Sequence, residues 1–240
     1  MKNVILASTS SLFGEAYLEY LKSEVEILFQ GISELIFVPY ARPGGISHDE
    51  YTHKVAVFFE PIGIKVKGLH RFEDPAHALK NAEAIFTGGG NTFLLVKQLH
   101  EQRLMNVLKE VVENGVPYLG TSAGSNIGGL NMQNTNDMPI VYPPTFNTLG
   151  LIPFNLNAHY LDPDPNSKHN GETRETRIKE FHVFNKVPVL GLREGSWIRV
   201  KGDKITTEGM LPSRIFLPEL PPYEIQPRTV CAFETRQNPL

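Results

Sequence analysis

Cysteine is almost missing from this 240-residue chain, with Cys231 the single example. That excludes an internal disulfide and any multi-thiolate zinc centre, and it fits a reducing compartment, the cytoplasm being the expected location. Long apolar runs are missing too. Nothing approaches the ~18 consecutive apolar residues of a membrane span, so no membrane partner is expected. Met1–Ala7 has one lysine and a brief apolar run, but Ser8 to Ser11 follow at once; the run is too short for a signal peptide and reads as a first strand. Charge of one sign is scarce as well. A formal net charge of −3, with no lysine and arginine cluster interleaved with aromatics, excludes a phosphate-backbone binder, and nucleic acid is not an expected partner. No histidine pair has the spacing of a His-Glu-x-x-His zinc helix, and no internal repeat is present.

What the chain does have is an ordinary globular balance, 41% hydrophobic and 20% charged. Its length suits one α/β domain over residues 1–240, with a proline-rich C-terminal extension over about 207–240. Branched apolar runs at Val4–Ala7, Leu35–Val38, Ile64–Val66, Ala84–Thr87, Pro117–Leu119 and Val189–Leu192 read as strands. Between them, Phe13–Leu21, His48–Phe59, Phe93–Leu99 and Leu104–Val112 carry apolar residues at helical spacing, and Arg174–Phe184 resumes a helix. Alternation of this kind predicts a parallel sheet covered on both faces, with ligands at the carboxyl ends of the strands. Leu130–Asn170, rich in Asn, Pro and Thr, reads as long loops or short strands over that end and as the candidate lid. Trp197–Val200 and Ile205–Thr206 flank a hairpin turn, and the prolines at 212, 218, 221, 222, 227 and 239 predict irregular structure with short edge strands and a frayed tail.

One strand-to-helix junction carries chemistry. Gly120-x-Ser122-x-Gly124 follows the strand Pro117–Leu119 and precedes small residues that begin a helix, which is the pattern of a nucleophile elbow. Glycines two before and two after the serine leave room for a strained turn that exposes its hydroxyl. A second turn, Gly88-Gly89-Gly90-Asn91-Thr92, also joins a strand to a helix. It lacks the third glycine of a dinucleotide fingerprint, since Phe93 stands there, and it has no Gly-Lys-Ser/Thr, so no nucleotide cofactor is expected. Its N–H groups suit the oxyanion of a tetrahedral intermediate instead, jointly with that of Ala123.

A serine nucleophile needs a base. Eight histidines are available, at 48, 53, 70, 77, 100, 159, 169 and 182, and those at 53, 77, 100 and 182 fall in helical stretches. His159 lies outside any amphipathic pattern, downstream of Ser122, and Glu194 follows the strand Val189–Leu192 where a strand-end acid belongs. The order Ser, His, acid differs from the Ser, acid, His of α/β-hydrolases, so the elbow belongs to another fold.

At these residues the chain resembles the peptidase E family of aspartyl dipeptidases. The likeness runs through Gly88-Gly89-Gly90-Asn91-Thr92-Phe93, Ser122-Ala123-Gly124, Asn134-Thr135-Asn136-Asp137-Met138-Pro139-Ile140, Gly171-Glu172-Thr173-Arg174 and Glu194-Gly195-x-Trp197, and ends near Val200. It implies a parallel-sheet three-layer α/β sandwich similar to the class I glutamine amidotransferases (flavodoxin-like), with C-terminal hairpin additions. It also implies Ser122 as nucleophile, His159 as base and then acid, Glu194 as the residue orienting it, and Gly90 and Ala123 as oxyanion donors. The family has a further acid where Asp137 stands, which leaves two candidates for the group behind His159. The implied partner is a small dipeptide with N-terminal aspartate, and neither metal nor cofactor is implied. Its ammonium calls for an anion, for which Asp137 is the candidate; its carboxylate calls for a cation or donor cluster, for which Arg174 and Arg177 are the candidates, and Asn91 is a further substrate-binding candidate. A related peptidase for another small acidic or isoaspartyl substrate, and a non-catalytic binder of acidic ligands, are the alternatives. Both a monomer and a homodimer are compatible with the sequence.

Overall fold

The computed structural model describes residues 1–164, 166, 168 and 171–231; His169 and the end of the C-terminal extension, with Pro239, lie outside the described residues. In chain order the elements are β1 (Asn3–Ala7), α1 (Lys22–Leu28), β2 (Glu34–Val38), α2 (His48–Phe59), β3 (Lys65–Gly68), α3 (Pro75–Lys80), β4 (Ile85–Thr87), α4 (Thr92–Glu101), α5 (Met105–Glu113), β5 (Tyr118–Thr121) and α6 (Ala123–Asn126). After these come β6 (Asn155–Ala158), α7 (Arg174–Phe184), β7 (Val189–Leu192), β8 (Ser196–Lys201), β9 (Lys204–Gly209), β10 (Ser213–Phe216) and β11 (Tyr223–Ile225).

Seven strands form the main sheet in the order β3-β2-β4-β5-β1-β8-β9. The first five are parallel, while β8 and β9 add antiparallel. Alternate residues of the parallel strands point to opposite faces, and both faces are apolar. Val4, Leu6, Ile36, Val38 and Ile85 pack with Leu95, Leu99, Leu108 and Val112 of α4 and α5. Ile5, Phe37, Phe86 and Leu119 pack on the other side with Val25 of α1 and Tyr51, Val55 and Phe59 of α2. Helices on both faces bring all five parallel carboxyl ends to one rim.

A second sheet, β11-β10-β7-β6, stands beside that rim. β6 runs parallel to β7, with α7 as their crossover, and Ile178 and Phe181 of α7 pack against Tyr160, Val189 and Phe216. The C-terminal extension is tied in through charge. Arg193, just after β7, donates to Glu224 on β11 at 2.8 and 2.9 Å and to Asp162 at 2.7 and 2.8 Å. Hydrogen bonds to Glu224 and Asp162 raise the guanidinium above its ordinary pKa.

Two elements differ from the sequence reading. Phe13–Leu21 is not a helix: Gly14 and Leu18 take φ values of 83° and 56°, the chain turns back so that Leu18 N donates to Ser10 O, and helical structure starts only at a short 3₁₀ turn over Glu19–Leu21. Apolar spacing there reflects the burial of Leu18 and Leu21 rather than a helix. α3 was not expected; Asp74 caps it by accepting from His77 N at 2.9 Å, with Pro75 at the first position. Within Leu130–Asn170, read as long loops or short strands, one short strand, β6, is present, and residues 130–154 are tied in by hydrogen bonds. Asn155 Oδ1 accepts from Leu130 N and Asn131 N, and Met132 N donates to Phe146 O.

Candidate active site

The elbow is strained in the way its glycines suggest. Ser122 holds φ 54° and ψ −113°, outside the regions an L residue favours, between the end of β5 and the start of α6. Its N–H donates to Ala7 O at 3.1 Å. A Cβ on Gly120 would collide with the carbonyl of Gly124, and one on Gly124 with the carbonyl of Thr87 on β4. The pattern is thus a packing requirement, because turn, helix start and neighbouring strand touch backbone to backbone. Gly124→Ala is expected to destabilise the fold by roughly 3 kcal/mol, the range of overpacked cores. Urea midpoints check this; a change under about 0.5 kcal/mol, the scale of neutral surface substitutions, would contradict the close approach.

The glycine turn lies against the serine. A Cβ on Gly89 would stand 2.9 Å from Ser122 Cβ. Gly90, at φ 146°, presses on the carbonyl of Ala41, where only glycine fits. Anchors hold the loop on either side: Gly88 N donates to Val38 O, Asn91 N to Ala41 O at 2.7 Å, and Tyr51 Oη to Gly89 O at 3.2 Å. The Gly90 N–H has no protein acceptor among the described residues. That of Ala123, at the first helical position, has no intrahelical one.

His159 follows β6 and Glu194 follows β7, so two adjacent parallel strands of the second sheet deliver them to the rim. His159 Nε2 is 3.0 Å from Ser122 Oγ, and His159 Nδ1 is 2.6 Å from Glu194 Oε1. With Glu194 ionised, Nδ1 carries the proton and donates it, which leaves Nε2 as acceptor for the serine hydroxyl. Ser122 is half-buried, while the His159 and Glu194 side chains are 39% and 47% exposed, so the site opens to solvent.

Asp137 is elsewhere. Its Oδ2 accepts from Thr92 N, the first residue of α4, at 2.7 Å and from Thr135 Oγ1 at 3.2 Å. A carboxylate there complements the positive end of the helix. Asn91 is the N-cap of the same helix: its Oδ1 accepts from Leu94 N and its Nδ2 donates to Met138 O. The amide oxygen thus caps α4, while the amide nitrogen holds the 138 segment onto the glycine turn.

Arg174 begins α7 and has no carboxylate in ion-pair range among the described residues, whereas Arg177 lies 3.6 Å from Glu172. Burial, then the charge of Arg177, pushes the Arg174 guanidinium below its ordinary pKa, and the charge of Asp137 opposes this. Sequence reasoning singled out neither Ser8, Asn126 nor Thr135. Asn126 Nδ2 donates to Thr92 Oγ1 and its Oδ1 accepts from Ala158 N, joining α4, α6 and β6. Ser8 was findable in principle, standing just after a parallel strand on the same rim as the Ser122 elbow and the Gly88–Thr92 turn. No cluster of three metal-ligating side chains occurs among the described residues.

The family model described as peptidase family S51 matches residues 4–208. The chain belongs to peptidase family S51. Among curated S51-like relatives, a probable alpha-aspartyl dipeptidase of Drosophila melanogaster is 45% identical over 218 residues, 90% of each chain. A peptidase E of Streptomyces coelicolor is 47% identical over 223 residues, 93% of this chain and 90% of its own. Two solved structures share the fold. A putative peptidase E from Listeria monocytogenes has a TM-score of 0.66 at 21% identity, over 88% of this chain and 100% of that one. A peptidase from an acI-B1 actinobacterium has 0.69 at 17%, over 97% of both. This S51 chain is therefore a three-layer α/β peptidase built on a mostly parallel sheet. Among its described residues no helix is long and apolar enough to cross a membrane.

Proposed function

We propose that this S51 peptidase is a serine dipeptidase that releases N-terminal aspartate from Asp-X dipeptides. The observation that carries the reading is the line of contacts from Ser122 Oγ through His159 to Glu194 Oε1, at 3.0 and 2.6 Å. Ser122 Oγ attacks the scissile carbonyl while His159 Nε2 takes its proton, and Glu194 stabilises the imidazolium that results. Negative charge moves to the carbonyl oxygen, where the N–H groups of Gly90 and Ala123 receive it. The intermediate collapses, the C–N bond breaks, and the departing amine takes the proton from His159. Water, activated by the same histidine, then hydrolyses the aspartyl ester and frees Ser122.

Specificity for aspartate follows from charge. Asp137 serves as counterion for the substrate ammonium, and Arg174 receives the β-carboxylate, because its guanidinium lacks the carboxylate that Arg177 has in Glu172. The relatives' printed names, alpha-aspartyl dipeptidase and peptidase E, agree with this substrate. A single cysteine supports placing the enzyme in the cytoplasm.

The test is a panel of Asp-X, Glu-X, Asn-X, isoaspartyl and Leu-Leu dipeptides. Asp-X is expected to dominate in the wild type. Arg174→Gln is expected to reduce the Asp-Leu over Leu-Leu preference by about 10- to 100-fold, the size of one lost charged hydrogen bond, and Arg177→Gln to change it little. Unchanged selectivity in the Arg174 variant would remove that assignment; a wild-type preference for isoaspartyl substrates would redirect the whole reading.

A further inference from the structure

The nucleophile and its base come from different sheets. Ser122 ends β5 of the main sheet, whereas His159 and Glu194 end β6 and β7 of the second. Their separation is therefore not set by either sheet alone. We infer that Ser8, at the end of β1, is the positioning residue that sets it. The inference rests on Ser122 and His159 acting as a catalytic pair.

One peptide unit and one hydroxyl reach all three residues. The carbonyl of Ala7 accepts from Ser122 N at 3.1 Å and lies 2.6 Å from Ser125 Oγ, which holds the elbow from below. In the same planar unit, Ser8 N donates to Ser196 O at 3.0 Å. Ser196 closes the turn that carries Glu194, with Ser196 N donating to Arg193 O at 3.1 Å. The Ser8 hydroxyl does the rest: it accepts from His159 N at 2.9 Å and donates to Leu192 O, at the end of β7, at 2.7 Å.

This contact matters because His159 cannot be held by the strand ladder. At φ 56° its backbone has left β6, and its N–H donates to a side chain rather than to a neighbouring strand. Ser8 is fully buried, so no water can take over from its hydroxyl without rearrangement. Without that oxygen, His159 N loses its acceptor and Leu192 O loses one donor, retaining Tyr160 N at 3.2 Å. The strained residue then relaxes, and the 3.0 Å contact from Nε2 to Ser122 Oγ lengthens. Misplacement of a catalytic group by about 1 Å is enough to cost on the order of 100-fold.

Ser8→Ala separates positioning from folding when rates are counted per active site. Active sites are titrated with a fluorophosphonate that labels Ser122, and the labelling rate, kcat and KM for Asp-Leu are then measured. We expect kcat and the labelling rate per site to fall about 10- to 100-fold, with KM within about twofold. Ser213→Ala, which removes a buried hydroxyl from β10, is expected to leave them unchanged. A normal rate per labelled site in Ser8→Ala would overturn the inference, even if fewer molecules fold. In case that variant does not fold, amide hydrogen exchange in the wild type gives a second test. The His159 amide is expected to be protected as well as that of Ser122, and exchange at the unprotected rate would overturn the inference. A wild-type protein that is not labelled at all, or is labelled independently of His159, would instead refute the catalytic pair itself.

Discussion

Ser122→Ala is expected to lower kcat for Asp-Leu by roughly a millionfold, the loss seen when the nucleophile of a serine triad is removed. The hydroxyl contributes little to folding. Among the described residues its hydrogen-bond partner is His159 Nε2, and the strained backbone at φ 54° is tolerated equally by alanine. Near-UV circular dichroism and the thermal midpoint should therefore match the wild type while turnover disappears. Retained turnover would show that another group attacks the substrate. A protein that binds Asp-Leu equally well before and after the change, and turns it over in neither form, would be a binder of acidic ligands.

Glu194→Gln is the second large effect, and it decides between the two acids. The carboxylate lies 2.6 Å from His159 Nδ1, and in the proposed mechanism it selects the tautomer and stabilises the imidazolium. Replacing the equivalent acid by its amide in a buried triad costs about 10⁴ in kcat. Glu194 is half-exposed, so solvent can stabilise part of the imidazolium charge, and we expect a loss of about 100- to 1,000-fold in kcat with KM little changed. Asp137→Asn is expected to act differently. Its carboxylate receives the N–H of Thr92 and, in the proposed function, is the counterion of the substrate ammonium, so the change is expected to raise KM and to destabilise the fold by about 1 kcal/mol, as a lost helix cap does. Steady-state kinetics on both variants check the assignment. If Asp137→Asn abolished kcat while Glu194→Gln left it intact, the roles would be reversed.

Much of this was legible because it is local. The parallel strands β1, β2, β4 and β5 announce themselves as apolar runs, since both of their faces are buried, whereas β3 at the sheet edge is partly exposed and is marked only by Ile64 and Val66; the sheet then dictates which loops share a rim. Gly120 and Gly124 could be read as signs of a strained turn because backbone collisions, here with Gly124 and Thr87, exclude any side chain. β6 was not legible. Its residues Asn-Leu-Asn-Ala look like loop, yet Asn155 and Asn157 are buried, and their amides pair with Leu130 N, Asn131, the Asn134 carbonyl and Asn136. A strand stabilised by side-chain amides from 20 or more residues away leaves no apolar periodicity to find. Phe13–Leu21 misled for the converse reason: its apolar residues are buried by a turn, and spacing alone does not distinguish that from a helix.

By itself the sequence determined the elbow and the glycine turn beside it, because these depend on neighbours a few residues apart. It left two acids for one histidine. Only the tertiary structure placed Glu194 on His159 and Asp137 on the start of α4, since both placements depend on how the second sheet docks against the first. His159 and Ser122 are 37 residues apart in the chain, and Ser8 lies 151 residues before His159. No local pattern records such distances. They follow from where β1, β6 and β7 end, and from the hydrogen bonds that join those ends.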